Sequence, residues 1–92
     1  MEAEIYFEDF HDKETVTFPD SYEVSPEEIK DFALRYDPQP MHLDEEAGRK
    51  SILGGLSASG WHTCAIAMRL ICDGYLPRSA GVSAPRLEEA KW

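Results

Sequence analysis

Two side chains suited to proton transfer, Asp37 and His42, lie five positions apart in Asp37-Pro38-Gln39-Pro40-Met41-His42. Two prolines stiffen this segment and neither residue is bound to a helical register, so a carboxylate and an imidazole can converge there. An imidazole titrates near neutral pH and a partly buried carboxylate can be raised toward it, which suits the proton transfers that add or remove water. The same spacing also suits a plainer arrangement, with Asp37 closing a local turn and His42 in solvent. One detail argues against Asp37 as a helix stabiliser: a carboxylate at a helix C-terminus meets the negative end of the dipole. His42 with Asp44 would give a metal only two ligands, so no metal is expected.

A second group lies twelve residues on. Gly54-Gly55 directly ahead of an apolar segment offers bare N–H groups at a positive helix end, suited to a carbonyl oxygen that gains negative charge, although an isolated Gly pair is more often a plain turn. Ser59 and Thr63, at i and i+4 on the first turns of the helix expected there, either reach the same place or bond back to the helix backbone. His62 reads as a satisfied or half-exposed histidine, and His11, among charged neighbours, as a solvated one.

The elements that must hold these residues are partly legible. Ser25-Pro26-Glu27-Glu28 is a helix start, with Ser25 as N-cap, Pro26 in the first helical position and Glu28 placed to complete a capping box. Ile29, Phe32, Ala33 and Tyr36 then follow i, i+3, i+4, i+7 spacing and predict one buried stripe. Pro38 ends the helix at about Tyr36 or Asp37, and Asp44 can cap a short second helix. A long helix is predicted from about Leu56 to Tyr75, ending at Gly74 and Pro77. It carries Ala58, Trp61, Ala65, Ile66, Met68, Leu70, Ile71 and Tyr75 on almost every side, so something must wrap it. Residues 6–24, broken by Pro19-Asp20, predict one or two short strands, and Arg86 to Trp92 the start of another.

Composition narrows the function classes. Ninety-two residues make one small domain at most, and 42% hydrophobic with 29% charged residues describes a soluble globular chain. Eighteen acidic against nine basic residues give a net charge of −9, which repels nucleic acid. An anionic coenzyme must rely on a local patch such as Arg49, Lys50 or Arg86. Cys64 and Cys72, eight positions apart in one helix, stand about 12 Å apart along its axis and cannot pair with each other. No Cys-x-x-Cys spacing occurs and Met-Glu-Ala-Glu lacks the features of a signal peptide, so a reducing cytoplasm is expected. The apolar stretch from Leu56 to Leu76 is interrupted by His62, Arg69 and Asp73, which argues against a membrane span.

Three segments carry a family likeness: Tyr6-Phe7-Glu8-Asp9-Phe10; Tyr36-Asp37-Pro38-Gln39-Pro40-Met41-His42-Leu43-Asp44; and Gly54-Gly55-Leu56-Ser57-Ala58-Ser59-Gly60-Trp61-His62-Thr63. In order and spacing they resemble the MaoC-like dehydratases, the family of (R)-specific enoyl-CoA hydratases. The resemblance implies an α+β hot-dog fold, in which a curved antiparallel sheet wraps a long central helix, assembled as a homodimer. It implies that Asp37 and His42 activate a water for addition across a trans-2-enoyl thioester and that the Gly55 N–H binds the thioester oxygen. Thr63 falls where a hydroxyl residue lines the family's site. The substrate would be an acyl-CoA or other acyl thioester, with no metal or redox cofactor.

The chain departs from the family pattern at Gln39, where the best-known hydratases have asparagine, and in Arg86-Leu87-Glu88-Glu89-Ala90-Lys91-Trp92, which follows Gly-Val-Asp-Glu-Leu-Arg-Trp loosely. The family continues past this tryptophan with the long strands of its sheet. The expectation is therefore that residues 1–92 form the N-terminal portion of one hot-dog domain, a central helix with an incomplete antiparallel sheet. Three functions are consistent with it: a hydratase or dehydratase, a non-catalytic acyl-thioester-binding or dimerisation module, and a fragment that needs a second half.

Overall fold

Helix α1, Pro26–Tyr36, starts and stops where local chemistry dictates. Ser25 is extended and its Oγ accepts the Glu28 amide at 3.2 Å, while Pro26 occupies the first helical position, where no N–H is needed. The capping box is only half made. The Glu28 carboxylate turns away from the Ser25 backbone to Tyr22 and His62, because charge-assisted bonds to side chains outcompete a neutral amide. At the other end the Asp37 N–H still closes on Ala33 O at 2.8 Å, but Asp37 itself leaves helical geometry (φ −154°, ψ 67°), as a residue before proline must. Of the predicted stripe, Ala33 is fully buried and Ile29 and Phe32 are half-buried, whereas Tyr36 is exposed.

Pro40 begins the four-residue helix α2, Pro40–Leu43, which lifts His42 back toward Asp37. Asp44 caps α3, Glu45–Arg49, accepting the Ala47 amide at 2.9 Å. A turn then reverses the chain through Gly54, whose φ of +74° is left-handed and open to glycine at no steric cost. Residues 56–59 are not helical. Helix α4 spans Gly60–Gly74, starting four residues later than the sequence pattern predicts, where the Ser59 hydroxyl caps it; Gly55, ahead of Leu56, has no side chain to do so.

The computed structural model describes residues 3–81, 83–84 and 86–92. The chain divides into two compact units, Tyr22–Ile66 and Met1–Ser21 with Ala67–Trp92. In the latter, a short 3-10 turn at Phe7–Asp9 precedes an exposed segment, and Tyr75 is flanked by the rings of Phe10 (6.2 Å, edge-on) and Phe18 (5.9 Å, stacked). Among the described residues the predicted strands are not formed, neither in residues 6–24 nor after Arg86. The sheet is reduced to one isolated parallel bridge, Ile5 to Ser79. Alternating apolar residues say which side chains would share a face, but a strand needs a paired row of N–H and C=O groups, and among the described residues no second row pairs with Val16 to Val24.

The long helix is likewise not wrapped. Trp61 and Met68 on α4 are more than half exposed, and Tyr6, Phe7, Phe10, Leu34, Ile52, Leu53, Leu87 and Trp92 also face solvent. No helix among the described residues is long and apolar enough to cross a membrane. Cys64 and Cys72, both on α4, are free.

Of the described glycines, Gly48 has the least room for a side chain. A Cβ there would stand 2.7 Å from Gly55 O and from Leu56 N, so α3 lies directly against the Gly55–Leu56 peptide. Gly48→Ala should therefore destabilise the protein by about 1–3 kcal/mol through overpacking of backbone on backbone. Urea unfolding checks this: the midpoint should fall at unchanged m-value, and a wild-type midpoint would mean that the peptide yields freely.

Candidate active site

Ser59 is the most deeply placed side chain of the site, 0% exposed. As the N-cap of α4 its Oγ accepts the Trp61 amide at 3.3 Å, which leaves the hydroxyl proton free to be donated. It is donated to Asp37 Oδ2 at 2.6 Å. The other carboxylate oxygen, Oδ1, accepts Gln39 Nε2 at 2.6 Å, across the proline-stiffened turn. Two donors therefore hold Asp37 in one orientation between the end of α1 and the start of α4.

His42, 5% exposed, is fixed through one ring nitrogen and faces Asp37 with the other. Nδ1 lies 2.7 Å from Ser57 O, and since a carbonyl only accepts, Nδ1 carries a proton. In the neutral ring Nε2 is then the basic nitrogen, and it faces Asp37 Oδ2 at 3.6 Å. That gap is too long for a direct hydrogen bond, yet a single water beside it reaches both groups.

The electrostatics run opposite to the expectation of a raised carboxylate. The Ser59 hydroxyl and then the Gln39 amide, with the nearby imidazole adding to them, pull the Asp37 pKa below the ordinary aspartate value despite partial burial. Asp37 is thus held as an ionised acceptor.

The structure brings Asp37, His42 and Ser59 together. It leaves Thr63 on the exposed side of α4, its hydroxyl donating back to Ser59 O at 3.3 Å, the ordinary behaviour of a threonine inside a helix. Gly55 does not sit at the helix end as expected. It lies in the loop, five residues ahead of Gly60, although no acceptor for its N–H is found among the described residues. Three contributors were not singled out from the sequence. Gln39 carried a signal in its i+2 position to Asp37. Ser57, which orients His42 through its carbonyl, carried none, since any residue supplies that group. Gly48 likewise gave no cue beyond being a glycine in a helix. Asp44 is taken up by α3 and makes no pair with His42. Among the described residues no group of three or more His, Cys, Asp or Glu converges.

Removing the Ser59 hydroxyl should act on both partners. Ser59→Ala loses a helix cap, a cost of about 1 kcal/mol, and raises the Asp37 pKa toward the ordinary range. The pH dependence has a definite sign. A carboxylate with depressed folded pKa contributes stability in full above about pH 4 and loses it as pH falls through the folded value. In Ser59→Ala the folded value lies closer to the unfolded one, so that loss should be smaller and should end at higher pH. Carboxyl 13C titration of Asp37 reads it directly, and an unmoved midpoint would exclude Ser59 as the main cause.

Comparisons with known proteins show what the chain is similar to. The crystal structure of the MaoC-like dehydratase from Rhodospirillum rubrum is 59% identical in sequence, with a TM-score of 0.58, over 61% of this chain and 38% of its own. The uncharacterized protein YdeM of Bacillus subtilis (strain 168) is 46% identical over 50 residues, 54% of this chain and 36% of its own. The chain thus spans little more than a third of the length of these relatives. The structural likeness supports the hot-dog fold family, although the sheet is not formed among the described residues. A match to the family described as MaoC like domain runs over residues 9–89, and the chain therefore belongs to the MaoC-like family.

Proposed function

We propose that this chain carries the acid/base half of a hydratase or dehydratase acting on an enoyl thioester, an acyl-CoA or another acyl thioester, with Asp37 and His42 as the catalytic pair. The observation that carries the proposal is the 3.6 Å approach of Asp37 Oδ2 and His42 Nε2 with the His42 tautomer set by Ser57 O. A water held by both groups loses a proton to Nε2 while its oxygen bonds to the β-carbon of the trans-2-enoyl thioester. The electron pair of the double bond moves toward the thioester oxygen, and the imidazolium returns its proton to the α-carbon. Dehydration is the reverse. The steps balance with no metal or redox cofactor.

Asp37 stabilises the imidazolium by its charge and holds the water, while Ser59 and Gln39 keep it ionised. Gly55, with an N–H open among the described residues, is the donor assigned to the thioester oxygen, and Thr63 is an outer hydroxyl of the site. The working state is a homodimer. The support for it is the apolar surface that includes Leu34, Ile52, Leu53 and Trp61, since large side chains left in water forgo about 1.5–3 kcal/mol each. Two free cysteines suit a reducing cytoplasm.

His42→Ala should lower the rate of crotonyl-CoA hydration roughly 100-fold or more with substrate binding retained. Equal activity in the variant would refute the assignment. Thioester binding without turnover in the wild-type chain would favour a non-catalytic binding module.

Self-association is tested separately by sedimentation and thermal unfolding over a concentration series. An ordered state that strengthens with concentration is expected. A compact monomer with a sharp, concentration-independent transition would contradict the dimer.

A further inference from the structure

A second imidazole and carboxylate meet in the same unit, outside the proposed chemistry. His62, in the first turn of α4, is 4% exposed, and its Nε2 lies 2.8 Å from Glu28 Oε2. Glu28 Oε1 accepts the Tyr22 hydroxyl at 2.8 Å. One face of the ring lies on Phe32, with centroids 4.6 Å apart and planes within 8°. These two bonds lower the Glu28 pKa, the one from Tyr22 first, so the carboxylate is ionised and acts as acceptor. Nε2 of His62 is then the donor. Nδ1 is buried with no partner among the described residues. Nε2 thus carries the proton that ties the ring to Glu28.

This contact has a mechanical consequence. Glu28 lies in the first turn of α1 and Asp37 at its C-cap, while His62 and Ser59 lie three residues apart at the start of α4. Helix α1 is therefore fastened to one short stretch of α4 at both of its ends, by Glu28 to His62 and by Asp37 to Ser59. Without the first fastening α1 keeps its apolar contacts but loses one of the two polar ties that set its angle to α4, and with it the Asp37–His42 gap is less constrained. We propose that His62 is a positioning residue for the Asp37–His42 pair: an Nε2–H donor to Glu28 that locks α1 against the N-terminus of α4.

The kinetic side of this proposal rests on the hydratase reading, and the structural side does not. The test compares His62→Phe, which keeps a ring on Phe32 and removes the donor, with His62→Gln, whose amide N–H reaches the place of Nε2–H. The 15N signals of the His42 ring and the steady-state constants with crotonyl-CoA are read on each full-length chain. His62→Phe should shift the His42 Nδ1 signal and lower kcat about 10- to 100-fold, with KM changed less than about twofold. His62→Gln should recover most of both. A folded His62→Phe with wild-type His42 signals and kcat overturns the proposal, and equal damage in His62→Gln overturns the donor role in favour of ring packing. If His62→Phe does not fold, Glu28→Ala removes the same bond from a partly exposed site: the same shift is expected, and its absence overturns the proposal. Should the wild-type chain hydrate no thioester, the catalytic reading fails, while the His42 signals still decide whether His62 positions it.

Discussion

The carboxylate of Asp37 is the point on which the Tyr22–Ile66 unit turns. It sits where α1 ends, accepts from Gln39 across the proline turn and from Ser59 at the start of α4, and faces the imidazole that α2 presents. Each of those elements is short or begins with a strong local signal, and none would be held to the others by apolar packing alone. A charged acceptor is suited to this, since charge-assisted bonds are stronger and more directional than neutral ones. The arrangement also explains why Asp37 stands at a helix C-terminus, where the dipole disfavours it. The donors that converge on it outweigh that modest cost, and their convergence lowers its pKa instead of raising it.

Burial in this chain is inverted relative to an ordinary small domain. Apart from Ala33, the side chains most withdrawn from water are polar, His42, Ser59 and His62, while many large apolar residues lie outside. A net hydrogen bond contributes about 0.5–1.5 kcal/mol, whereas a buried large apolar side chain contributes about 1.5–3 kcal/mol. The polar network thus specifies geometry more than it supplies stability. It resembles the inside of a site whose apolar cover is provided by further surface, and the proposed second copy is one source of such surface.

What could be read from the sequence follows from where the causes lie. The start of α1 at Ser25-Pro26, its end at Asp37-Pro38, the cap at Asp44 and the pairing-proof spacing of Cys64 and Cys72 depend on a few neighbouring residues, and the structure has them as expected. The start of α4 was misplaced because apolar periodicity continues back to Leu56, whereas the helix begins where Ser59 can cap it. Strands were expected from alternation alone, but pairing is non-local, and no described segment completes it. At the site, the types and spacing of Asp37 and His42 were visible, and the direction of the Asp37 shift was not. That direction depends on Ser59, twenty-two positions away, donating its hydroxyl, and then on the Gln39 amide.

The charge of the chain constrains how an anionic thioester would be recognised. With a net charge of −9, long-range attraction does not assist its approach. The basic residues considered for a local patch are already engaged: Arg49 and Lys50 both pair with Glu46, and Arg86 with Glu88. These pairs are exposed, and exposed pairs contribute little and exchange readily, so a phosphate can displace Glu46 at small cost. That exchange yields little net affinity, because one anion replaces another. Affinity must then come from short-range contacts to the uncharged part of the substrate, the thioester and its acyl chain. On the proposed reading, selectivity would follow the shape of whatever apolar surface covers the Asp37–His42 pair, more than the charge of the carrier to which the acyl group is attached.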